Sequence, residues 1–344
     1  MARRRREISI YRIAEEAGVS AATVSRVINR RVGVSEATRA RIDELLRRYH
    51  FLPDYPLQRA PKIAFTVPSN NGLNDYIRKA LNGVFHYVAD RGIDVSIIHY
   101  REKSKTSLLQ QIRDQQCSGV IMIIPDHFRE EFQSLNDSGL PVILLDSQSD
   151  LPKLGYIDND SYSGSCAAAR YLLDLGHRRI GYICHAHVSN HDHRERLRGY
   201  KDTLVAAGIT PQGHWLAHTP PIKPSEHVRG MAGLRAMELL LKQAPEITAV
   251  MALDDDMALG ALTAIHQSGR KIPEEISLIG FDNYPETLVW FPALTTVNHP
   301  IEQGGYRAAE AIAQAWANPG QWTPPHEILP THLIVRASTG PAPR

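Results

Sequence analysis

The 344-residue sequence predicts a small all-helical head followed by an α/β core of two lobes, each a parallel sheet covered by helices. Three observations predict it. Charge is split unevenly: residues 1–62 carry 14 Lys and Arg against 7 Asp and Glu, whereas the rest carries 25 against 30. Residues 9–49 hold three short helical patterns, each opened by a serine. From Lys62 onward, short and nearly continuous apolar runs alternate with amphipathic stretches of helical length, as strands buried on both faces require, and the scheme occurs twice.

In the head, Ser9 opens a helix whose apolar face is Ile10, Ile13, Ala14 and Ala17, and Gly18 ends it. Ser20 caps a second helix, AATVSRVIN, with Val24, Val27 and Ile28 on one side. Ser35 caps a third, with Ile42, Leu45 and Leu46 inward, closing near Tyr49. The turn Ala17-Gly18-Val19 makes the first two a helix-turn-helix, a motif whose second helix enters the major groove with its N-terminal residues facing the bases. A basic head on an acidic body points to a polyanionic partner, against the plainer alternative of a solvated basic tail.

In the core, the strand-like runs are KIAFTVP, IDVSIIHY, GVIMIIP and PVILLD, then HRRIGYIC, HWLAHTP, ITAVMAL and EISLIGF. Two such series imply two lobes with a ligand cleft at the carboxyl ends of the strands. Composition narrows the class further. An apolar content of 43% is that of a globular protein, and VIMII is far too short to span a bilayer, so no membrane partner is expected. MARRRRE is followed by no hydrophobic stretch, unlike a secretory signal, and three scattered cysteines form no disulfide framework; both fit a cytoplasmic protein.

The run IYRIAEEAGVSAATVSRVINRRVGVSEATRARI closely resembles the DNA-binding domain of the lactose-repressor (LacI/GalR) family. GYIDND, ARYLLDLGHRRIGYI, RERLRGY, ALDDDMALGALTAI, ISLIGFDN and PALTTVNHP resemble segments of its effector-binding core, which has the periplasmic sugar-binding-protein fold. The resemblance implies a helix-turn-helix domain at 1–51, a hinge at 52–61 and an effector-binding, dimerising core at 62–344, with lobe crossings near 158–162, 293–299 and 326–330. By position it makes Ala21, Ala22 and Arg26 base-facing. Ser20, Thr23, Ser25, Asn29 and Tyr11 become phosphate contacts, which fix register without reading sequence. Arg26 can donate two hydrogen bonds to guanine, whereas Ala21 and Ala22 can only touch methyl groups or leave space.

The pocket positions follow in the same way. Asp146 ends PVILLD, Arg196 lies in RERLRGY, Asp254 follows ITAVMAL and Asp282 follows ISLIGF. Carboxylates accept paired hydrogen bonds and a guanidinium donates a fixed fork, so the set favours a polyhydroxylated effector, most simply a sugar. The family more often has Asn where Asp254 stands, which disfavours an anionic effector. Asp75 and Tyr76, on the loop after the first strand, and Trp290 are candidate sugar contacts, with core packing the alternative for Trp290; Asp255 and Asp256 can simply cap the next helix. The stretch YICHAHVSNHDHRER could suggest a metal, but His185 to His193 reads as an irregular loop without helical pairing. No metal or other cofactor is expected there.

The implied function is a transcriptional repressor, acting as a homodimer on a pseudo-palindromic duplex operator under control of a sugar-like effector. An activator is the alternative, and a sugar-acting enzyme a more distant one, since no phosphate-binding glycine loop, nucleophile elbow or metal motif is found. ASTGPAPR at the end carries no leucine heptad, so a dimer is expected rather than a tetramer. The hinge FLPDYPLQRAPKIAF departs from the family: Pro61 cannot continue a helix, and Ala60 occupies the place of the leucine that wedges into the minor groove. Leu57 is the substitute, and a hinge without a stable wedge helix is expected.

Overall fold

The structure, a computed structural model, describes residues 10–28, 33–48, 61–68, 74–100, 106–123, 129–185, 191–219, 230–318 and 320–344. Ser9, Asn29, His187, Leu57 and the rest of the hinge up to Ala60 lie outside the described residues. The chain divides into two compact units, Met1–Ala60 and Pro61–Arg344.

The first unit holds α1 (Ile10–Ala17), α2 (Ala21–Ile28) and α3 (Glu36–Arg48). Ile13, Ala14, Ala17, Val24, Val27, Ile42, Leu45 and Leu46 form its core. Gly18 ends α1 in the left-handed region at φ +62, and the N–H groups of Gly18 and Val19 return to Glu15 and Ala14, so two carbonyls at the helix end are satisfied. Ser20 Oγ accepts from the Thr23 N–H at 3.1 Å, and Ser35 Oγ accepts from the Thr38 N–H at 3.3 Å, capping α2 and α3.

In the second unit, one six-stranded sheet contains β1 (Lys62–Pro68), β2 (Asp94–Tyr100), β3 (Gly119–Ile123), β4 (Val142–Leu145), β5 (Leu154–Asn159) and β11 (His326–Leu329). The other contains β6 (Ile180–Cys184), β7 (Leu216–His218), β8 (Ala249–Ala252), β9 (Ser277–Asp282), β10 (Thr295–Asn298) and β12 (His332–Ile334). Their orders, β2-β1-β3-β4-β5-β11 and β7-β6-β8-β9-β10-β12, are the same winding; all pairs are parallel except β10–β12. Each sheet lies between helices. The helices most relevant here are α4 (Asp75–Val88), α5 (Leu108–Asp114), α6 (Arg129–Asn136), α7 (Ser161–Asp174), α8 (His191–Ala206), α9 (Met231–Gln243), α10 (Asp255–Gln267) and α11 (Ile301–Ala317).

The chain changes sheet at Asp160, at His299–Pro300 and at Pro330–Thr331. The second and third passages fall at the last residues of the stretches 293–299 and 326–330 read from the sequence, because β10 and β11 run on to Asn298 and Leu329. All parallel strands therefore end towards one interlobe cleft. Helix α8, which carries the cleft arginine, is pressed against α7: a Cβ on Gly199 would stand 2.6 Å from the Tyr162 carbonyl oxygen. No described helix is long and apolar enough to cross a membrane.

Candidate functional site

The strand ends bring a buried polar cluster together. Asp146 follows β4, Asn159 ends β5, Asp254 follows β8 and Asp282 ends β9; Tyr76 stands in the first turn of α4 and Arg196 in α8. Tyr76 and Asp75 are thus helical rather than on a loop, with Asn74 as the cap. Tyr76 Oη donates to Asp146 Oδ2 at 2.5 Å, and Asn159 Nδ2 donates to Asp146 Oδ1 at 3.2 Å. Arg196 Nη2 lies 2.5 Å from Asp192 and 3.3 Å from Asp282, while Nη1 donates to the Leu253 carbonyl at 2.8 Å. Its guanidinium also lies 3.7 Å from the Phe281 ring centroid, a cation–π stack. Its own helix, the segment after β8 and the end of β9 thus hold one arginine in place.

His299, at the second passage between lobes, joins the two halves. Its Nδ1 lies 3.3 Å from Asp282 of the second lobe; its Nε2 is 2.9 Å from Asp146 of the first, with the N–H aimed obliquely. Burial alone would depress this imidazole, but the charge of Asp146, with Asp282 and Asp192, carries it up to about 10. It is therefore a cation at neutral pH. Burial likewise opposes the charge of Asp192, yet the Arg196 guanidinium holds its carboxyl well below the usual range. Ser161 Oγ donates to Asn159 Oδ1 at 2.7 Å and also contacts Asp192.

Backbone conformation marks the same two carboxylates. Asp146 has φ 51 and Asp282 φ 111, and non-glycine residues adopt such values at a cost of about 1–3 kcal/mol each, typically where function over-determines them.

Trp290 takes the core-packing alternative, and two further candidates are placed differently from the sequence reading. Trp290 packs against the core of the second lobe rather than joining the cluster. Asp75 pairs with Arg78 at 2.7 Å, and Arg78 reaches Glu286 of the second lobe at 3.7 Å, so Asp75 belongs to the rim. Asp254 is itself the cap of α10, accepting from the Met257 N–H at 2.7 Å, while Asp255 is buried and accepts from the Tyr284 N–H and the Thr296 hydroxyl. Burial and the nearby Asp282 raise the Asp255 carboxyl well above its usual range.

The histidine stretch is also rearranged. His191, Asp192 and His193 form the first turn of α8, so the irregular segment is shorter than His185 to His193. His185 Nε2 faces Asp254 Oδ2 at 3.4 Å, and the rings of His185 and His193 are 6.2 Å apart. Burial, then Arg196, pushes His193 down to about 4. Among the described residues no three His, Cys, Asp or Glu side chains are grouped to hold a metal ion. Cys184 is buried at the end of β6, its Sγ 3.2 Å from His218 Nδ1.

Asn159, Ser161, Asp192 and His299 were not singled out from the sequence. The i, i+4 spacing of Asp192 and Arg196 was the one local sign available, and it lay inside the stretch first considered for a metal.

In the separate head, Ala22 and Arg26 are exposed one turn apart on α2, and Ser20 and Tyr11 are exposed. Thr23 and Ser25 are half-buried, the Thr23 hydroxyl lying 2.9 Å from Ser20 Oγ. Ala21 packs partly against the head core, which leaves it less free to face bases than its position implied.

A helix-turn-helix head joined to a bilobal core with a charged interlobe cleft defines a ligand-responsive DNA-binding regulator. The model for bacterial regulatory proteins of the lacI family matches residues 9–54, and the model for a periplasmic binding protein-like domain matches residues 169–339. The chain is 33% identical to the HTH-type transcriptional regulator GalS of Salmonella typhimurium, over 96% of each chain. It is similar to a solved transcriptional regulator CelR–cellobiose complex, at 28% identity and TM-score 0.70, covering 96% of this chain and all 100% of that one. A lac repressor dimer bound to operator shares the fold, with TM-score 0.70 at 22% identity, covering 97% and 100%. The chain belongs to the LacI family of bacterial transcriptional regulators.

Proposed function

We propose that this regulator is a cytoplasmic, non-enzymatic homodimer that represses transcription from a pseudo-palindromic operator, and that a neutral sugar held between the core lobes sets its operator affinity. The observation that carries the effector class is the charge pairing in the cleft. Arg196 is matched by Asp192 and Asp282, His299 by Asp146 and Asp282, and His185 by Asp254. Each of these cations already faces a carboxylate, which disfavours an anionic ligand. Hydroxyl groups can instead trade places with the internal hydrogen bonds of Tyr76, Asn159 and the carboxylates. The relatives fit: GalS and CelR are named as transcriptional regulators, and CelR has been solved with cellobiose.

On the DNA side, Arg26 reads a base pair, with Ala22 beside it and Ala21 in a lesser role. Ser20, Thr23, Ser25, Asn29 and Tyr11 hold the backbone, and Leu57 is the candidate wedge. A dimer follows because one head covers only half of a symmetric site. The test is selection from random duplexes, followed by a thermal-shift screen of mono- and disaccharides. A symmetric motif should emerge, with binding that weakens steeply as salt rises. A sugar at 100 times its Kd should stabilise the protein by about 2.7 kcal/mol. Selection without symmetry would contradict the operator reading, and a panel in which only phosphorylated or carboxylated ligands bind would contradict the neutral-sugar reading.

A further inference from the structure

The two lobes also touch at a place away from His299. Lys79 stands in the second turn of α4, in the first lobe. Its Nζ donates to the Asp282 carbonyl at 2.8 Å and lies 3.5 Å from the Asn283 carbonyl, both of the second lobe. The ring centroid of Tyr284 is 5.7 Å from the same nitrogen. One residue earlier on α4, Arg78 reaches Glu286 at 3.7 Å, a solvent-screened pair worth little by itself. The partners of Lys79 are main-chain oxygens, so its hydrogen bonds use none of the cleft's carboxylates.

Each end of this contact is fixed within its own lobe. On one side, the corner 282–284 is bolted to the second lobe. The Tyr284 N–H donates to Asp255 at 2.9 Å, the Asn283 N–H to the Thr296 hydroxyl at 3.3 Å, and Arg336 Nη2 to Asn283 Oδ1 at 2.6 Å. Asp282 and Asn283 both have positive φ, 111 and 52. At this corner Asp282 presents its carboxylate to Arg196 and His299 and its carbonyl to Lys79. On the other side, α4 is pressed against α11, whose Ile301, Ala308 and Ile312 share the first lobe's core. A Cβ at Gly83 would collide with the Glu302 carbonyl, and one at Gly305 with the Ala80 carbonyl. Neither side bends easily, so a shift of one lobe against the other breaks the Lys79 contact outright. Burial pulls the Lys79 ammonium below its ordinary value, against the charge of Asp282; hydration is given up to make the contact and returns when it breaks. Such a contact favours one arrangement modestly and reversibly.

We propose that Lys79 is a cross-lobe strut, a positioning residue that favours this arrangement of the lobes and couples the Asp282 corner to α4. A ligand that moves Asp282 moves the carbonyl that Lys79 holds, and so reaches the first lobe at α4 as well as through the chain passages. The consequence for operator affinity rests on the function proposed above; the effect on lobe position does not.

Three substitutions test this in the full-length protein without sugar. Lys79→Met and Lys79→Ala remove the ammonium at two side-chain lengths, and Lys79→Arg keeps a cation with donors. Single-molecule energy transfer is read between dyes on azide-bearing residues at Gln133 of α6 and Lys242 of α9, exposed positions on different lobes, with one labelled protomer per dimer. Lys79→Met and Lys79→Ala should each shift the ratio of the wild type's main lobe distance to any other by about fivefold or more, and Lys79→Arg should stay within about twofold. Operator Kd, on the selected duplex at fixed salt, should change by about fivefold or more in the two ammonium-free variants and by less than about twofold in Lys79→Arg. Unchanged distances in both ammonium-free variants, a Lys79→Arg that moves as far as Lys79→Met, or shifted distances with an unchanged operator Kd would overturn the proposal. If no duplex is selected at all, the operator reading falls, while the distances still decide whether Lys79 is a strut.

Discussion

Two side chains carry most of the cleft's electrostatics. His299 is held as a cation by carboxylates from both lobes, its folded pKa lifted to about 10 from an unfolded value near 6.5. A raised folded pKa contributes stability that is fully present below the unfolded value and lost as pH climbs through the folded one. His299→Gln should therefore lower Tm most below about pH 6.5, with the gap to wild type narrowing steadily towards about pH 10. Melting curves for both proteins from pH 5 to 10 check this, and a gap that widens with pH would contradict the assignment. Arg196 is the second. Position in the sequence alone suggests that Arg196→Ala would abolish the effector response and leave folding intact. The structure argues otherwise, because Asp192 would remain buried without its cation and Asp282 would keep only His299. The substitution should cost about 3–5 kcal/mol, read as a lower urea midpoint. A wild-type midpoint would mean that the ion-pair geometry is wrong.

At the scale of elements, legibility followed apolar content. The eight runs that read as strands are strands; in five of them, β3, β4, β6, β8 and β9, every residue is buried. The remaining strands were not read as strands, although β10 and β11 fall in stretches read as lobe crossings. β5 and β10 bury Asp158, Asn159, Thr295 and Thr296, so they show no apolar run, and β11 and β12 are short edge strands. Polar strand ends are what the cleft is made of, so the least legible strands lie nearest the site. The start of α8 was misplaced for a similar reason: its first turn, His191-Asp192-His193, looks like a polar loop until Asp192 is seen to hold Arg196. Helix packing here gives a direct test. Gly199→Ala would set a methyl group against the Tyr162 carbonyl and push α8 from α7, so it should lower stability by about 1–3 kcal/mol in denaturant melts. In the head, Arg26 is exposed on α2, and Arg26→Ala should erase preference at one base pair per half-site, a loss of about 1–3 kcal/mol. Weak, salt-sensitive binding should survive. Binding to permuted operators reads it, and uniform weakening at every position would make Arg26 a backbone contact instead.

For the molecule as a whole, the sequence already divided head from core by charge and pattern, and it singled out five of the cleft residues, Tyr76, Asp146, Arg196, Asp254 and Asp282. It could not show that these residues would pair with one another, because the partners come from separate elements: Asp146 and Asp282 are linked through His299, at a passage between lobes, and not through each other. That linkage ties lobe position to the contents of the cleft, since a ligand that takes over the bonds of Asp146 or Asp282 also alters what His299 holds together. Under the proposed function, a sugar that binds two arrangements of the lobes unequally should change operator affinity, by about 5- to 150-fold for a coupling of about 1–3 kcal/mol. The most direct measurement is the operator Kd of the full-length protein, by fluorescence anisotropy on its selected duplex at fixed salt, with and without a sugar that raises its Tm. A change of about fivefold or more, matched by the same factor in the sugar's affinity for operator-bound protein, is the predicted result. A sugar that stabilises the core while leaving the operator Kd unchanged would contradict it.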